Sequence, residues 1–219
     1  MMKAQTTIDE EVYRLLCIEY GTPSFKLADP LEQVVRTILS QQTTSQNTRK
    51  AYEQLRSTFP DWQSLLDSPT QGVEDTIRVA GLAPQKAPRI QALLAKVQAD
   101  FGAFSLEALH GYSNDEALSY LLSLPGVGQK TARCVLIFAL NRQSIPVDTH
   151  VHRLAQRLCW VPTGTSAEET AQLLEKSLSQ NIKSALHVLL FEHGRKICTA
   201  RNPKCNQCTI AGICPQQHT

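Results

Sequence analysis

The sequence lacks the long hydrophobic runs and the strand patterns that define several large classes of protein. No stretch of its 219 residues approaches the roughly 18 continuous apolar residues that span a membrane. The start of the chain has no apolar segment typical of a secretory signal, and acidic residues come too early for a typical transit peptide. We therefore expect a soluble, cytoplasmic protein without a membrane partner, associated with the nucleoid if its source is prokaryotic.

The sequence also lacks a large excess of charge of one sign. Its 22 Lys and Arg residues nearly balance its 20 Asp and Glu residues, and the formal net charge is +2. This balance is too small to indicate a nucleic-acid partner, so the distribution of charge matters more. From residue 183 onward five cations face only Glu192, which leaves 5 − 1 = +4: Lys183, Arg195, Lys196, Arg201 and Lys204. Some of these cations would offset nearby cysteine thiolates, and the others would be available to phosphates.

What the sequence does contain is a helical pattern of apolar residues along most of its length, with no strand alternation. Capping signals precede several helical stretches: Thr7 with Glu10, Asp29 before Pro30, and Ser113 with Glu116. Further helices are predicted at about 45–58, 71–79 and 84–101. Boundaries of the later helices are predicted at Asp148, at Ser166 with Glu169, and at Gly194. The predicted fold class is all-α.

The segment LPGVGQK at residues 124–130 lies between two predicted helices and combines an anion site with an amine. Gly126 and Gly128 leave the backbone free to adopt φ > 0, so the N–H groups around Val127 can converge on a phosphate oxygen. Lys130 follows in the first turn of the next helix, where the positive end of the helix dipole favours the neutral, nucleophilic amine. Taken alone, this pattern favours a plain turn followed by a solvated lysine.

Four cysteines stand close together in the spacing C-x6-C-x2-C-x5-C: Cys198, Cys205, Cys208 and Cys214. Disulfides are not expected, because no secretory signal is seen and the other cysteines are scattered in helical patterns like small buried hydrophobic residues: Cys17, Cys134 and Cys159. The four clustered cysteines therefore predict a metal site. Their spacing alone leaves zinc and an iron-sulfur cluster open.

Four signals occur in one order along the chain: LPGVGQKTA, VDTHVHR, HGRKIC and the cysteine spacing. In this respect the chain resembles the helix-hairpin-helix DNA glycosylases of the endonuclease III family, and the resemblance covers nearly the whole chain. It implies a two-lobed, all-α fold. One lobe would be a six-helix barrel over 25–141 that contains the helix-hairpin-helix at about 114–140, and the other an iron-sulfur domain formed by 1–24 and 142–219. It also implies a 4Fe-4S cluster in the loop 198–214.

The activity implied by the resemblance is that of a bifunctional DNA glycosylase and abasic-site lyase acting on oxidised pyrimidines. Lys130 would attack the sugar and form a Schiff base, and Asp148 would stabilise the positive charge that develops there. Asp148 is also a typical helix N-cap, and the two roles are compatible. The partner would be damaged double-stranded DNA, bound by a monomer.

The resemblance also implies which residues contact DNA. Gln42 and Leu82 occupy the positions that enter the duplex when a nucleotide is extruded, although each has an ordinary alternative as a helix end or a packed side chain. The other expected contacts are to phosphates: Gly126, Val127, Gly128, Arg201 and Lys204. Ser45 stands where the family often has an acidic residue, which puts the neighbouring contacts in doubt. The stretch between about 101 and 122 looks longer than in the family's best-known form.

Two alternative functions remain open from the sequence. One is a monofunctional glycosylase of the same superfamily, although such enzymes usually lack a lysine at the position of Lys130. The other is a DNA-binding or redox-sensing module that uses only the hairpin and the cluster; the presence of both Lys130 and Asp148 disfavours it. His150, His152 and His193 are not spaced like a set of metal ligands, so structural hydrogen bonding is expected of them.

Overall fold

The computed structural model describes residues 7–216, and within this range it contains helices and turns but no β-strand. This confirms the all-α fold class. None of the described helices is both long and apolar enough to cross a bilayer. The α-helices are, in chain order, α1 (Ile8–Tyr20), α2 (Pro30–Leu39), α3 (Ser45–Thr58), α4 (Trp62–Asp67), α5 (Thr70–Ile77), α6 (Ala83–Phe101), α7 (Asn114–Ser123), α8 (Gln129–Phe138), α9 (Thr149–Arg157), α10 (Ala167–Ser177) and α11 (Lys183–Lys196).

The helices begin where the capping residues predict. Asp29 accepts a hydrogen bond from the Glu32 amide at 2.9 Å, one residue before α2. Ser113 and Glu116 form a reciprocal capping box at α7, and Ser166 forms another at α10. These side chains satisfy amide groups that have no acceptor in the first turn of a helix.

The described chain divides into two compact units, of which one is the contiguous segment Leu27–Asn141. Its long helix α6 packs against α5, α4 and α2, and α2 also packs against α3 and α8. One apolar core joins these helices. The stretch between α6 and α7, which looks extended in the sequence, contributes Leu106 and Leu109 to that core through a 3-10 turn at Glu107–Gly111.

The other unit is discontinuous, because it combines α1 with the chain that follows Asn141. Helix α11 packs against both α9 and α1, and α10 packs against α9. Val12 and Leu16 of α1 are fully buried in the apolar core of this unit. A hydrogen bond of 2.8 Å from the Ser179 amide to the Asp9 carboxylate links residues 170 positions apart.

Gly194 is not a helix boundary, and this prediction is wrong. It lies inside α11, which continues to Lys196. A Cβ at this position would lie 2.8 Å from the Cβ of His150 on α9. A glycine is therefore needed where α9 and α11 approach closely, and sequence alone does not separate this reason for a glycine from a helix C-terminus.

The three isolated cysteines do not share one environment. Cys134 is buried as predicted, whereas Cys17 is half-buried and Cys159 is exposed. Cys159 follows α9 and its backbone has φ of 56°, in the left-handed region that bulkier residues rarely adopt. No disulfide forms among the cysteines of residues 7–216, all of which are free.

Candidate active site and metal centre

In the turn between α7 and α8, Gly126 has the positive φ that the sequence predicts, whereas Gly128 has an extended backbone with φ of −102°. Gly126 has φ of +79°, and the Val127 amide donates to Leu124 O at 3.1 Å to close the turn. Val127 itself is buried, so its side chain anchors the turn in the core. Gly128 is the N-cap of α8 and is exposed. The predicted phosphate contact of the Val127 amide therefore competes with its bond inside the turn, whereas the Gly126 and Gly128 amides have no acceptor among the described residues.

Two side chains from other helices approach this turn closely. The Gln41 side chain donates from Nε2 to Gly126 O at 3.3 Å. A Cβ on Gly126 would lie 3.1 Å from Arg89 Cδ, so the aliphatic part of that arginine packs against the glycine. Arg89 was not predicted to belong to the site, since its position in α6 marks it only as a residue on the exposed face. Arg89 therefore adds a cationic side chain next to this turn.

Lys130 is exposed in the first turn of α8, two residues after the Gly128 N-cap. Its side chain has no hydrogen-bond or ion-pair partner within residues 7–216. The neighbouring residues Thr131 to Ile137 are buried, so the helix itself is held firmly while this amine points into solvent. Such a free amine next to an anion site is suited to attack an electrophilic carbon of a bound phosphodiester chain.

Asp148 caps the start of α9, as its sequence position predicts. Its Oδ1 accepts hydrogen bonds from the His150 amide at 2.9 Å and the Val151 amide at 2.8 Å. The residue is half-buried. Both capping bonds use one carboxylate oxygen, so Oδ2 has no intramolecular donor in the described part of the chain. One carboxylate can thus cap the helix and still present a charged oxygen to a ligand.

Gln42 and Leu82 lie in short segments of the Leu27–Asn141 unit, and both have unusual backbones. Gln42 has φ of 52° and Leu82 has φ of 51°, where residues with a side chain are rarely found. Both side chains are exposed, and Val79 beside Leu82 is a further exposed apolar residue. Strained, exposed residues of this kind are typical of ligand-contacting sites. The sequence carries no signal for the left-handed backbone at either position.

A buried lysine, Lys86, was also missed. It stands on the apolar face of α6, in register with Ala83, Ala87 and Ile90, and helical periodicity therefore marks its side chain as an inward one. Its side chain is only 1% exposed.

The four clustered cysteines line one apolar cavity, together with Leu154, Leu158, Ile197 and Ile210. Burial raises the pKa of the Cys208 thiol, and the charges of Cys198, Cys214 and Cys205 raise it further. Four thiolates this close together need positive charge between them. The described residues hold no set of three or more His, Cys, Asp or Glu side chains gathered around a single metal ion. Thiols that line one shared cavity are suited to ligate a metal ion or an iron-sulfur cluster.

Neighbouring polar groups orient these thiols. Arg157 donates from Nη1 to Cys198 Sγ at 3.1 Å and to Thr199 O at 2.8 Å. His193 is fully buried, and burial lowers its pKa to about 4, so the imidazole is neutral. Its Nδ1 lies 3.0 Å from Tyr20 Oη and its Nε2 lies 3.4 Å from Cys208 Sγ. The prediction of structural hydrogen bonding by this histidine is consistent with these contacts.

Arg201 and Lys204 lie between the first two cysteines, and both are exposed. The other cations counted in this part of the sequence are paired: Lys183 with Glu175, and Arg195 and Lys196 with Glu192. Within residues 7–216, Arg201 and Lys204 make no ion pair. These two cations are therefore free to meet an external anion.

Comparison with known families identifies what the hairpin and the cysteine loop belong to. Residues 35–180 match the family described as "HhH-GPD superfamily base excision DNA repair protein". The chain belongs to this superfamily. Residues 198–214 match the iron-sulfur binding domain of endonuclease III, a segment that begins at Cys198 and ends at Cys214. The cofactor of this HhH-GPD protein is a 4Fe-4S cluster, in agreement with the cavity formed by the four cysteines.

Individual relatives are similar over different shares of their length. Endonuclease III of Thermotoga maritima is 36% identical over 189 residues, which cover 86% of this chain and 84% of that protein. A putative DNA glycosylase of Arabidopsis thaliana is 40% identical over 169 residues. These cover 77% of this HhH-GPD chain but only 57% of the Arabidopsis protein, so the plant relative is considerably longer.

The fold is also similar to solved structures of endonuclease III with DNA. The structure of a trapped covalent intermediate of endonuclease III with DNA has a TM-score of 0.79 and 25% sequence identity. The likeness covers 99% of this chain and 98% of that one. The helical fold of the HhH-GPD protein is thus similar to that of endonuclease III.

Proposed function

We propose that the protein is a bifunctional DNA glycosylase and abasic-site lyase of base excision repair, which removes oxidised pyrimidines from duplex DNA as a monomer. The observation that carries the proposal is the exposed amine of Lys130, free of intramolecular partners in the described chain and next to an anion-binding turn. The similarity to an endonuclease III that was trapped covalently on DNA supports a covalent mechanism. A monofunctional enzyme would not need this amine.

The chemistry proceeds through the sugar of the damaged nucleotide. The uncharged Lys130 amine attacks C1′, the C1′–N bond to the base breaks, and the base leaves with the bonding electrons. Ring opening converts the adduct into a Schiff base, which acidifies the C2′ proton. Loss of that proton and departure of the 3′ phosphate complete the β-elimination, and hydrolysis then releases Lys130.

Asp148 supports this reaction through the carboxylate oxygen that does not cap α9. A negative oxygen near the sugar stabilises the positive charge that develops at C1′ as the base leaves. It also favours removal of the proton that Lys130 must lose before it attacks. Because Oδ1 already accepts two backbone amides, the carboxylate is held in one orientation rather than left free to rotate.

Access to C1′ requires the damaged nucleotide to leave the base stack. The exposed amide of Gln42 is suited to pair with the orphaned base, and the exposed Leu82 is suited to enter the stack beside it. The amides at Gly126 and Gly128, and the cations Arg201 and Lys204, would bind phosphates. Contacts to phosphates fix the position of the duplex, and the inserted residues detect the weakened base pair.

In this proposal the 4Fe-4S cluster is bound by four cysteines: Cys198, Cys205, Cys208 and Cys214. The six-helix barrel is formed by residues 25–141, and the iron-sulfur domain by residues 1–24 together with 142–219. When bound, the cluster would crosslink and so stabilise a loop that has few apolar residues of its own. Arg201 and Lys204 lie in that loop, where they would be available to DNA phosphates.

Borohydride reduction tests the proposal directly. Incubation with a duplex that contains one oxidised pyrimidine should yield a covalent protein–DNA adduct when borohydride is present, because reduction fixes the Schiff base. Lys130→Gln should yield none, whereas Lys96→Gln, which removes a half-buried lysine of α6 that pairs with Asp100, should trap like the parent. Trapping by Lys130→Gln at the parental level would exclude this amine as the nucleophile.

The substrate class is tested with a panel of duplexes that each carry one altered base: an oxidised pyrimidine, an oxidised purine, an alkylated purine and a mismatched thymine. Release of the oxidised pyrimidine should be fastest. Base release without strand cleavage would instead favour the monofunctional alternative.

A further inference from the structure

Lys86 holds a buried positive charge between two segments of the Leu27–Asn141 unit. Its Nζ donates to Leu39 O at 2.7 Å and to Ala80 O at 2.9 Å. No carboxylate accompanies it among the described residues, and burial lowers its pKa. Since a buried charge is costly to leave unpaired, these two backbone contacts account for its presence there.

The two carbonyl groups both end a helical element. Leu39 is the last residue of α2, and Ala80 is the last residue of the 3-10 turn Arg78–Ala80. Carbonyl groups at such ends have no intrahelical donor and carry the negative end of the helix dipole. The Lys86 ammonium satisfies both ends at once.

Each of these carbonyl groups stands just before a residue that is proposed to enter the duplex. Leu39 precedes Gln42 by three residues, and Ala80 precedes Leu82 by two. The Lys86 amide also donates to Leu82 O at 2.9 Å. A single residue therefore contacts the segments of both Gln42 and Leu82, whose left-handed backbones persist only if their surroundings hold them.

We propose that Lys86 is a positioning residue that fixes the Gln42 and Leu82 segments relative to each other, so that their side chains engage damaged DNA as one unit. This inference rests on the proposed roles of Gln42 and Leu82 in lesion recognition. Lys86 itself is buried and does not contact DNA.

A double-mutant cycle on the full-length protein tests the unit. The readout is the ratio of affinities for a duplex with one tetrahydrofuran abasic analogue and for the undamaged duplex, measured for the parent, Gln42→Ala, Leu82→Ala and the double variant. Either truncation alone should disable the unit, so the two effects should not multiply. The fold-loss of lesion preference in the double variant should be smaller than the product of the two single fold-losses by a factor of at least about three. Losses that are strictly additive in free energy would overturn the proposal. This arm of the test needs no substitution at Lys86.

The second arm removes the ammonium but keeps the aliphatic stem, in Lys86→Met. Lesion preference should fall by about tenfold to a hundredfold, and the coupling between Gln42 and Leu82 should disappear. Val97→Ala, in the core further along α6, is the matched control for lost stability and should keep the coupling.

Amide hydrogen exchange of the free protein gives a readout that needs no DNA. Exchange in residues 40–44 and 78–83 should accelerate in Lys86→Met but not in Val97→Ala. Unchanged exchange in both segments, or a lesion preference equal to that of Val97→Ala, would overturn the proposal. If the parent itself does not prefer the abasic duplex, the proposed function fails instead, and the exchange comparison still decides whether Lys86 holds the segments. If Lys86→Met does not fold, the double-mutant cycle in the parental background decides.

Discussion

At the scale of single residues, Asp148 divides its two carboxylate oxygens between two tasks. Oδ1 caps α9 and Oδ2 is left for the substrate in our proposal. Two variants separate these tasks, because asparagine keeps an oxygen that caps a helix well whereas alanine keeps neither oxygen.

Asp148→Asn should retain the parental melting temperature and DNA affinity but release the base at least about a hundredfold more slowly, since a charge that stabilises the transition state is lost. Asp148→Ala should in addition lose about 0.5–2 kcal/mol of stability through the missing cap. Thermal unfolding and single-turnover base release measure the two effects. Near-parental turnover by Asp148→Asn would leave this residue with the capping role alone.

The sequence reveals residues at this scale when a local rule selects them. Asp148 stands before a helix and Lys130 follows a glycine turn, so both were predictable from spacing and residue type. The left-handed backbone of Gln42 and Leu82 was not, because neither residue type favours that region, and neither was the contact of Lys86 with the Leu39 and Ala80 carbonyl groups. Only three-dimensional packing brings those carbonyl groups to one ammonium.

At the scale of secondary-structure elements, the closest approach that depends on a glycine is that of α9 and α11 at Gly194. The residue tests whether this packing tolerates a methyl group. Gly72 is a suitable comparison, because it also lies inside a helix, α5, but its Cβ would meet only the rotatable Ser68 hydroxyl at 3.3 Å.

Gly194→Ala should lower the free energy of unfolding by about 1–3 kcal/mol, because the new methyl group would overlap the His150 Cβ, which cannot rotate away. Gly72→Ala should be neutral or stabilising by up to about 1 kcal/mol, since alanine favours a helix. Thermal denaturation of both variants provides the measurement. Equal stability of the two would mean that α9 and α11 separate easily.

Helices were predictable to the extent that capping residues and periodicity mark them. The ranges of α3 and α6 agree with the predicted ones to within one residue, since Thr44 and Gly102 are strong local signals. The end of α11 was misplaced because glycine has two meanings, a C-terminus or a close contact, and only the position of α9 distinguishes them. Lys86 shows the same ambiguity for a charged residue on an apolar face.

At the scale of the whole molecule, the cysteine loop has to be completed by iron. Purified protein should be yellow-brown and contain iron and acid-labile sulfide, with little zinc, by metal analysis and absorption spectroscopy. Cys205→Ser should give little soluble protein, because the loop loses its junction. Cys159→Ser, which changes an exposed cysteine outside the set, should retain iron. Stoichiometric zinc in protein expressed with sufficient iron would contradict the cluster.

The unpaired cations of the loop also determine how the whole molecule responds to salt. Arg201→Ala with Lys204→Ala should decrease the slope of log affinity against log salt by about one for each phosphate that the protein no longer neutralises. The paired cations provide the comparison: Arg195→Ala with Lys196→Ala should change the slope less, because both side chains are ion-paired with Glu192, which offsets one of the two charges. Titrations at several salt concentrations measure both slopes. Identical slopes for the two double variants would place the loop away from DNA.

The discontinuous unit has a consequence for the order of events during synthesis. Helix α1 ends at Tyr20, but α11, which covers its apolar face, begins only at Lys183. At a synthesis rate of about 5–20 residues per second, roughly 10–30 s pass between the emergence of α1 from the ribosome and that of α11. The contiguous segment Leu27–Asn141 can fold in that interval, while Val12 and Leu16 remain uncovered. The nascent chain therefore presents these two residues to chaperones and proteases until its last helices emerge.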